Sequence, residues 1–455
     1  MFAIRHFFWL AISFVAAAPA QAAYTTIVVR VNGQGQATPD YNQRQLLVGS
    51  YIHPTVHPAP GYIFAGWSFG TNTCYGCNIF QVEPGLDLQA HFIPDPFKTL
   101  QGEFDGLIED TNKALYAHAG YFNLRVNAHG RIGGRLTMSG YSQAIDDTWE
   151  RSLLITNGQV VGWVYPVLFT RGDFWSGSLR FVMKADVELR FSGDPDQVRG
   201  LLMDTPASHG ETLPPTWVAE LKGERAAVHT RTNPAPQAGN YTLIFPPGDG
   251  VHEPAGAGYA KLKVDNGGRL TLSGYLADRS VVAENTSLTK DGRWPLFMGL
   301  YRGGGAIYGW MSFENQSDSD VHGTLVWTRP ASSTIPIPGT NLLEVVGSRY
   351  QRPAGATTAL GFTNGLAIFS QGEAFTPFTN RIILGPNNKV TNAGTNRLTL
   401  TLGPTTGLFQ GAVTHPALGK STAFKGALLQ KQQSGYGFFT TTNHQSGLIS
   451  ILPDR

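Results

Sequence analysis

The chain has 455 residues, with 34 Lys and Arg against 32 Asp and Glu, and a net charge of +2. So even a balance, without any run of Lys or Arg, gives no basic field for nucleic acid. With 42% hydrophobic and 11% aromatic residues there is ample apolar surface to bury, which excludes a disordered chain.

Arg5 and His6 precede an apolar run from Phe7 to Ala18, and Ala20-Gln21-Ala22 follows. A positive start, a short apolar run and a small-residue cleavage site describe a signal peptide over residues 1–23. The run is too short to remain as a bilayer-spanning helix. The mature chain, about 430 residues, is therefore expected to lack a transmembrane segment and to hold roughly three domains. No cysteine sits just after the cleavage site, which argues against a bacterial lipid anchor. The expected destination is the cell surface or the medium, with the periplasm as the alternative.

Residues 24–95 read as a small β-rich module. "TTIVVRVNGQGQATPD" is strand, turn, strand, and the module closes on "LDLQAHF", Leu86 to Phe92. Val31, Gly33 and Gly35 open it; Gly61-Tyr62, Phe64 and Gly66-Trp67 follow, then Ala90 and Phe92. In these positions the module resembles a divergent internalin-type B-repeat. The resemblance implies a β-grasp-like domain that serves secreted and surface proteins as a spacer or adhesive unit.

Two motifs in this module carry possible chemistry. "GWSFG" matches the nucleophile elbow around Ser68, but the elbow needs a strand-to-helix turn, and "FGTNTCYGCN" is turn-forming. Cys74 and Cys77 are the only two cysteines. A redox pair would need a helix start behind it, and a zinc site would need two more ligands. After export, a disulfide between Cys74 and Cys77 is the simplest expectation. No cofactor and no metal is expected.

From residue 97 onward, short runs alternate polar and apolar residues and end on Gly, Asn, Asp or Pro. This period of two marks strands with one buried face. "YAKLKVDNGGRLTLSG", Tyr259 to Gly274, reads as a β-hairpin turning on Asp265-Asn266-Gly267-Gly268. "GRLTMSGY" (Gly134 to Tyr141) and "GRLTLSGY" (Gly268 to Tyr275) match in all but one residue. "GEFDGL" and "GYFNLRV" before the first copy answer "GNYTLI" and "GYAKLKV" before the second. A fainter third echo runs through "NRLTLTL", "GLFQGAV" and "GYGFF". The leucines alternate with Arg, Thr and Ser, so the repeat reads as a folding unit with Leu136 and Leu270 equivalent and buried. This part of the chain is similar to repeats of uncharacterised secreted proteins of environmental Gram-negative bacteria, a resemblance that implies architecture and export alone.

The fold class expected is all-β: a small β-grasp-like module followed by antiparallel β-meander barrels or sandwiches. Domain boundaries are expected at 24–95, 97–232 and 238–455. The last region is either one domain or two divided near 330–341, where "RPASSTIPIPGTN" offers a linker.

Three kinds of residue are candidates for function in these domains. Asp194–Gln197 and Glu314–Asp320 offer oxygens for calcium, without the grammar of a calcium loop. Glu103, Asp105, Glu109, Asp110, Asp146, Asp147 and Glu150 supply carboxylates, but no spacing singles out a hydrolytic pair. Trp163, Trp175, Trp294, Trp310 and Trp327 offer aromatic faces for sugars, against the core-filling role that buried aromatics usually take. The reading favoured is a non-enzymatic surface or extracellular protein binding glycans or other envelope material. A polysaccharide hydrolase and a structural spacer are the alternatives. The ending "ILPDR", without a terminal aromatic strand, argues against a transmembrane barrel.

Overall fold

A computed structural model describes residues 22–74, 76–110, 118–138, 141–145, 154–156, 159–171, 180–191, 194–204, 217–248, 253–331, 338–370, 376–416, 419–440 and 446–454. The side chains of 141, of the strands between 154 and 191, and of 204 lie outside that description. So do residues 1–21, most of the expected signal peptide 1–23, and the acids Asp146, Asp147 and Glu150. The chain forms two compact units, which meet in sequence at Pro96 and Phe97.

In the first unit, Val28–Asn32 lies parallel to Asp87–Pro94, which pairs antiparallel with Tyr62–Phe69, and that strand pairs with Asn72–Cys74. One face packs Val29, Trp67, Leu88, Ala90 and Phe92 into the core. Phe92 explains the two glycines near the start of the module. A Cβ on Gly33 would meet the Phe92 carbonyl oxygen at 1.8 Å, and one on Gly35 would meet its ring at 2.5 Å. Only glycine lets the strand lie this close.

The second unit holds three large antiparallel sheets. The first runs from Gly102 to Arg225 in nine strands, the second from Gly239 to Arg349 in eight, the third from Asn364 to Pro453 in eight. In each, consecutive strands pair as a meander and the first strand also pairs with the last. Counting strands within each sheet, the orders are 4-3-2-1-9-8-7-6-5, 4-3-2-1-8-7-6-5 and 3-2-1-8-7-6-5-4. The second and third sheets are nearly closed eight-stranded barrels, which removes almost all free edge. Their interiors are apolar: Leu262, Leu270, Trp294 and Trp327 fill the second, and Phe369, Phe409, Phe424 and Phe439 the third.

A polar side chain bridges the one unpaired seam of the second barrel, and asparagines close the turn beside that of the third. In the second, Glu284 on strand Val281–Ser287 accepts from Trp294 Nε1 at 2.9 Å and from the Phe297 backbone N–H at 3.2 Å. Both donors lie on strand Arg293–Leu300 across the seam. In the third, buried Asn380 donates to Asn392 Oδ1 at 3.0 Å and accepts from Asn396 Nδ2 at 2.7 Å.

Three expectations are corrected. A division near 330–341 would cut the second sheet, because Val321–Arg329 pairs with Gly339–Arg349 from Arg329↔Gly339 onward. The third sheet begins at Asn364 instead. Second, the matching octapeptides do not occupy matching positions. Val126 pairs with Ile132 and Val264 with Leu270, while Leu136 pairs with Phe122. The turns agree: Asn127 Oδ1 accepts from the backbone of His129 and Arg131, and Asp265 Oδ1 from Gly267 and Arg269. The residue equivalent to Leu270 is therefore Ile132, and the first copy is displaced four residues along the same strand. Leu136 and Leu270 are both buried, as period two requires of an even displacement. Third, "RLTLTL" forms the fourth strand of the third barrel, whereas the octapeptides belong to third strands.

Candidate functional site

The disulfide lies where the sequence allows it: Cys74 and Cys77 are bonded at the end of strand Asn72–Cys74. Ser68 Oγ is 2.7 Å from His91 Nε2, and His91 Nδ1 is 3.2 Å from Asn32 Nδ2. These three side chains cross the outer face of the first unit's four-stranded sheet beside a cleft of about 460 Å³ lined by Arg30, Glu83 and Asp87. His91 Nδ1 faces an amide nitrogen and not a carboxylate that would orient it as a general base. Ser68 lies inside a strand paired on both sides, at Ser68↔Gln89 and Ser68↔Thr73, and is not at a strand-to-helix turn.

The tryptophans separate into groups. Trp294 is 0% exposed and Trp327 is 3% exposed, so both leave the set of ligand contacts. They fill the second barrel, where Trp327 Nε1 donates to Tyr301 Oη at 3.1 Å. Trp310 is half-buried, with the Arg293 guanidinium 4.5 Å from its ring centroid. The side chain of Trp163, and the whole of Trp175, lie outside the described residues.

Each acidic loop holds a lysine ammonium. Asp196 pairs with Lys290 of the second sheet and with Arg225 Nε at 2.6 Å. These cations, Lys290 foremost, hold its carboxyl below the usual range. Lys431 of the third sheet reaches Asp320 Oδ1 at 2.9 Å, the Ser319 carbonyl at 3.0 Å and Asn315 Oδ1. Each acceptor stands just before the penultimate strand of its sheet, so the two junctions use one device.

The carboxylates at the junction of the first and second sheets are also engaged. Asp105 is 7% exposed and accepts from Tyr121 Oη, and burial raises its carboxyl above the ordinary value. Glu109 is raised by burial, with Lys222 opposing. Glu284 is pushed from 4.5 to about 7, first by burial and further by Asp105, against its two hydrogen-bond donors. Below about pH 4.5 the folded and unfolded chains both hold this proton. Between 4.5 and 7 the unfolded chain loses it first, so stability falls as pH rises, by at most about 3 kcal/mol. Urea denaturation of Glu284→Gln is expected to show a flatter stability profile across that window than the parent chain. An unchanged slope would remove Glu284 as its source.

One cleft of different character lies between the second and third barrels. It measures about 260 Å³ and is walled by Tyr259, Tyr275 and Phe438, with Arg279 and Lys425 at its rim. Tyr259 and Phe438 also belong to an apolar contact between the barrels, with Ala277 and Ala427. Tyr259 packs at 6.0 Å from both Tyr275 and Phe438, and burial lifts its hydroxyl to about 12. Tyr275 is 39% exposed. The sequence signal for this cleft was the tyrosine that ends the second octapeptide; the aromatic that meets it comes from 163 residues further on, at Phe438.

No family model matches the chain, and no curated protein matches it. Among solved structures, it is similar to intact Ap-TbpB with N and C lobes, at 9% identity over 98% of each chain and a TM-score of 0.19. Isotype 1 transferrin binding protein B from serogroup B Neisseria meningitidis is 10% identical, over 87% of this chain and 84% of that one, with a TM-score of 0.20. A double mutant of the Haemophilus parasuis Hp5 protein is 10% identical over 77% and 74%, at 0.17. Likenesses at these scores transfer neither ligand nor partner to this chain.

Proposed function

We propose that this is an exported, non-catalytic protein of the cell surface or extracellular space that binds glycan in the cleft between its second and third barrels. The observation that carries the reading is the exposed Tyr275 ring beside Tyr259 and Phe438, in a cleft small enough for a sugar ring. Binding pockets for small ligands combine apolar walls with a few polar groups at the rim, and this cleft has that composition. The leader-like start of the sequence supports export. The module at 24–95 then acts as a spacer or adhesive unit, as its B-repeat-like residues suggest.

A glycan array probed with the mature chain tests the reading. Retention of one glycan class is expected, with at least a tenfold loss for Tyr275→Ala and little change for Tyr275→Phe, which keeps the ring face. Unchanged retention by Tyr275→Ala would move the site elsewhere. A chain that retains nothing would be a spacer.

A further inference from the structure

We propose that the cleft between the second and third barrels takes an anionic sugar, a residue bearing a carboxylate or a sulfate. This rests on the glycan reading above and goes further by fixing the charge of the ligand. Arg279 and Lys425 are exposed at the rim, and no Asp or Glu stands among the lining residues. Neither cation forms an ion pair with a carboxylate among the described residues, unlike Lys290, Arg225 and Lys431 elsewhere in the unit. Two cations facing an aromatic cleft without an anion leave a site complementary to negative charge.

The local geometry supports this. Lys425 Nζ lies 5.9 Å from the centroid of the Tyr275 ring, so an anion drawn to the ammonium also meets the aromatic wall. Arg279 is held at φ 73° in the turn that closes with Leu276 N–H on Ser280 O at 2.9 Å. A non-glycine residue in that region is strained, and such strain persists where surrounding structure holds it. Here Asp278 fixes the turn by accepting from the Ser280 N–H at 2.9 Å. The volume, about 260 Å³, falls below the roughly 300–1,000 Å³ of drug-sized pockets, which suits one ring of a polymer.

An acidic peptide is the competing ligand, and strand pairing disfavours it. Peptides bind sheet proteins readily by adding a strand to a free edge. The four strands that wall this cleft, at 258–264, 269–275, 421–429 and 434–440, are each paired on both sides. No backbone edge is open there, which leaves ring faces and cations as the recognising groups.

Isothermal titration of the mature chain is the test, using oligogalacturonate, its fully methyl-esterified form, a sulfated galactan oligosaccharide and an oligoglutamate peptide. The acidic sugars are expected to bind at least tenfold more tightly than the ester, with the preference shrinking as salt rises. The carboxylate and sulfate arms identify which anion is preferred. Lys425→Ala and Arg279→Ala should each remove most of that preference, and Tyr275→Ala should abolish binding of every sugar. Equal affinity for acid and ester would overturn this inference and leave the glycan reading standing. Binding of oligoglutamate as tight as that of the sugars, with the same losses in the variants, would overturn it in favour of peptide. Failure of all probes, on a chain whose circular dichroism is native, would overturn the glycan reading itself.

Discussion

Trp67→Ala is expected to unfold residues 24–95 while the sheets beyond residue 97 keep their structure. Trp67 is 1% exposed and is the largest side chain in its core. Its ring meets Phe64 edge-on at 5.7 Å and Phe80 at 5.5 Å. Deleting such a ring typically costs about 3–5 kcal/mol, through lost contacts and the cavity left behind. A module of about 70 residues buries a smaller share of its surface than a larger domain and has little stability in reserve. Hydrogen exchange followed by peptide is the measurement, with protection lost across residues 24–95 and retained beyond them. Ser68→Ala makes the contrast. It removes one hydrogen bond to His91, worth about 0.5–1.5 kcal/mol, and should leave the module folded and any binding unchanged. The opposite pattern, a folded Trp67→Ala and an inert Ser68→Ala, would make the serine a functional group after all.

Arg225→Ala is expected to destabilise the first sheet by about 2–4 kcal/mol, since it removes several charge-assisted hydrogen bonds at once, while Asp196 keeps Lys290. Arg225 stands on the last strand, opposite Phe104 on the first, where the sheet closes on itself. Its guanidinium lies 4.7 Å from the Phe104 ring centroid and pairs with Asp196. It also donates to the carbonyls of Thr99 at 2.7 Å and Pro195 at 2.6 Å, and to that of Gln101. One group thus gathers the entry to the first strand, the loop before the eighth and the ring between them. Lysine presents a single ammonium and cannot form this fork, so Arg225→Lys should recover less than half of the loss. Arg349 holds the equivalent place in the second barrel, opposite Tyr241, but donates to Ala238 O alone among such carbonyls. Arg349→Ala should therefore cost only about 1–2 kcal/mol. Equal losses from the two variants, measured by urea denaturation, would show that the captured carbonyls contribute nothing.

Local pattern carried much of the fold. Arg269, Leu270, Thr271 and Leu272 alternate exposed and buried, as period two requires, and the Asp265 turn closes where the glycines permit it. What local pattern could not carry was register and partnership. The first hairpin contains Gly-Arg twice, at Gly130-Arg131 and Gly134-Arg135, and textual identity favoured the second pair while turn geometry aligns the first. Trp294 and Trp327 stood out as aromatic faces in strand-like runs, and the barrel interior takes both rings. The acids of the two loops found partners 94 and 111 residues away, Lys290 for Asp196 and Lys431 for Asp320, distances over which no spacing rule operates. The cleft aromatics likewise come from two different barrels.

At the shared junction, an acceptor on one sheet and a donor on the next tie consecutive sheets of the chain together. Asp196 and Asp320 provide the acceptor on the first and second sheets. Before the penultimate strand of the third, which begins at Ser434, the chain reads Gln430-Lys431-Gln432-Gln433, with no carboxylate. The third barrel thus places a donor, Lys431, before the strand that is preceded by an acceptor in the first two sheets.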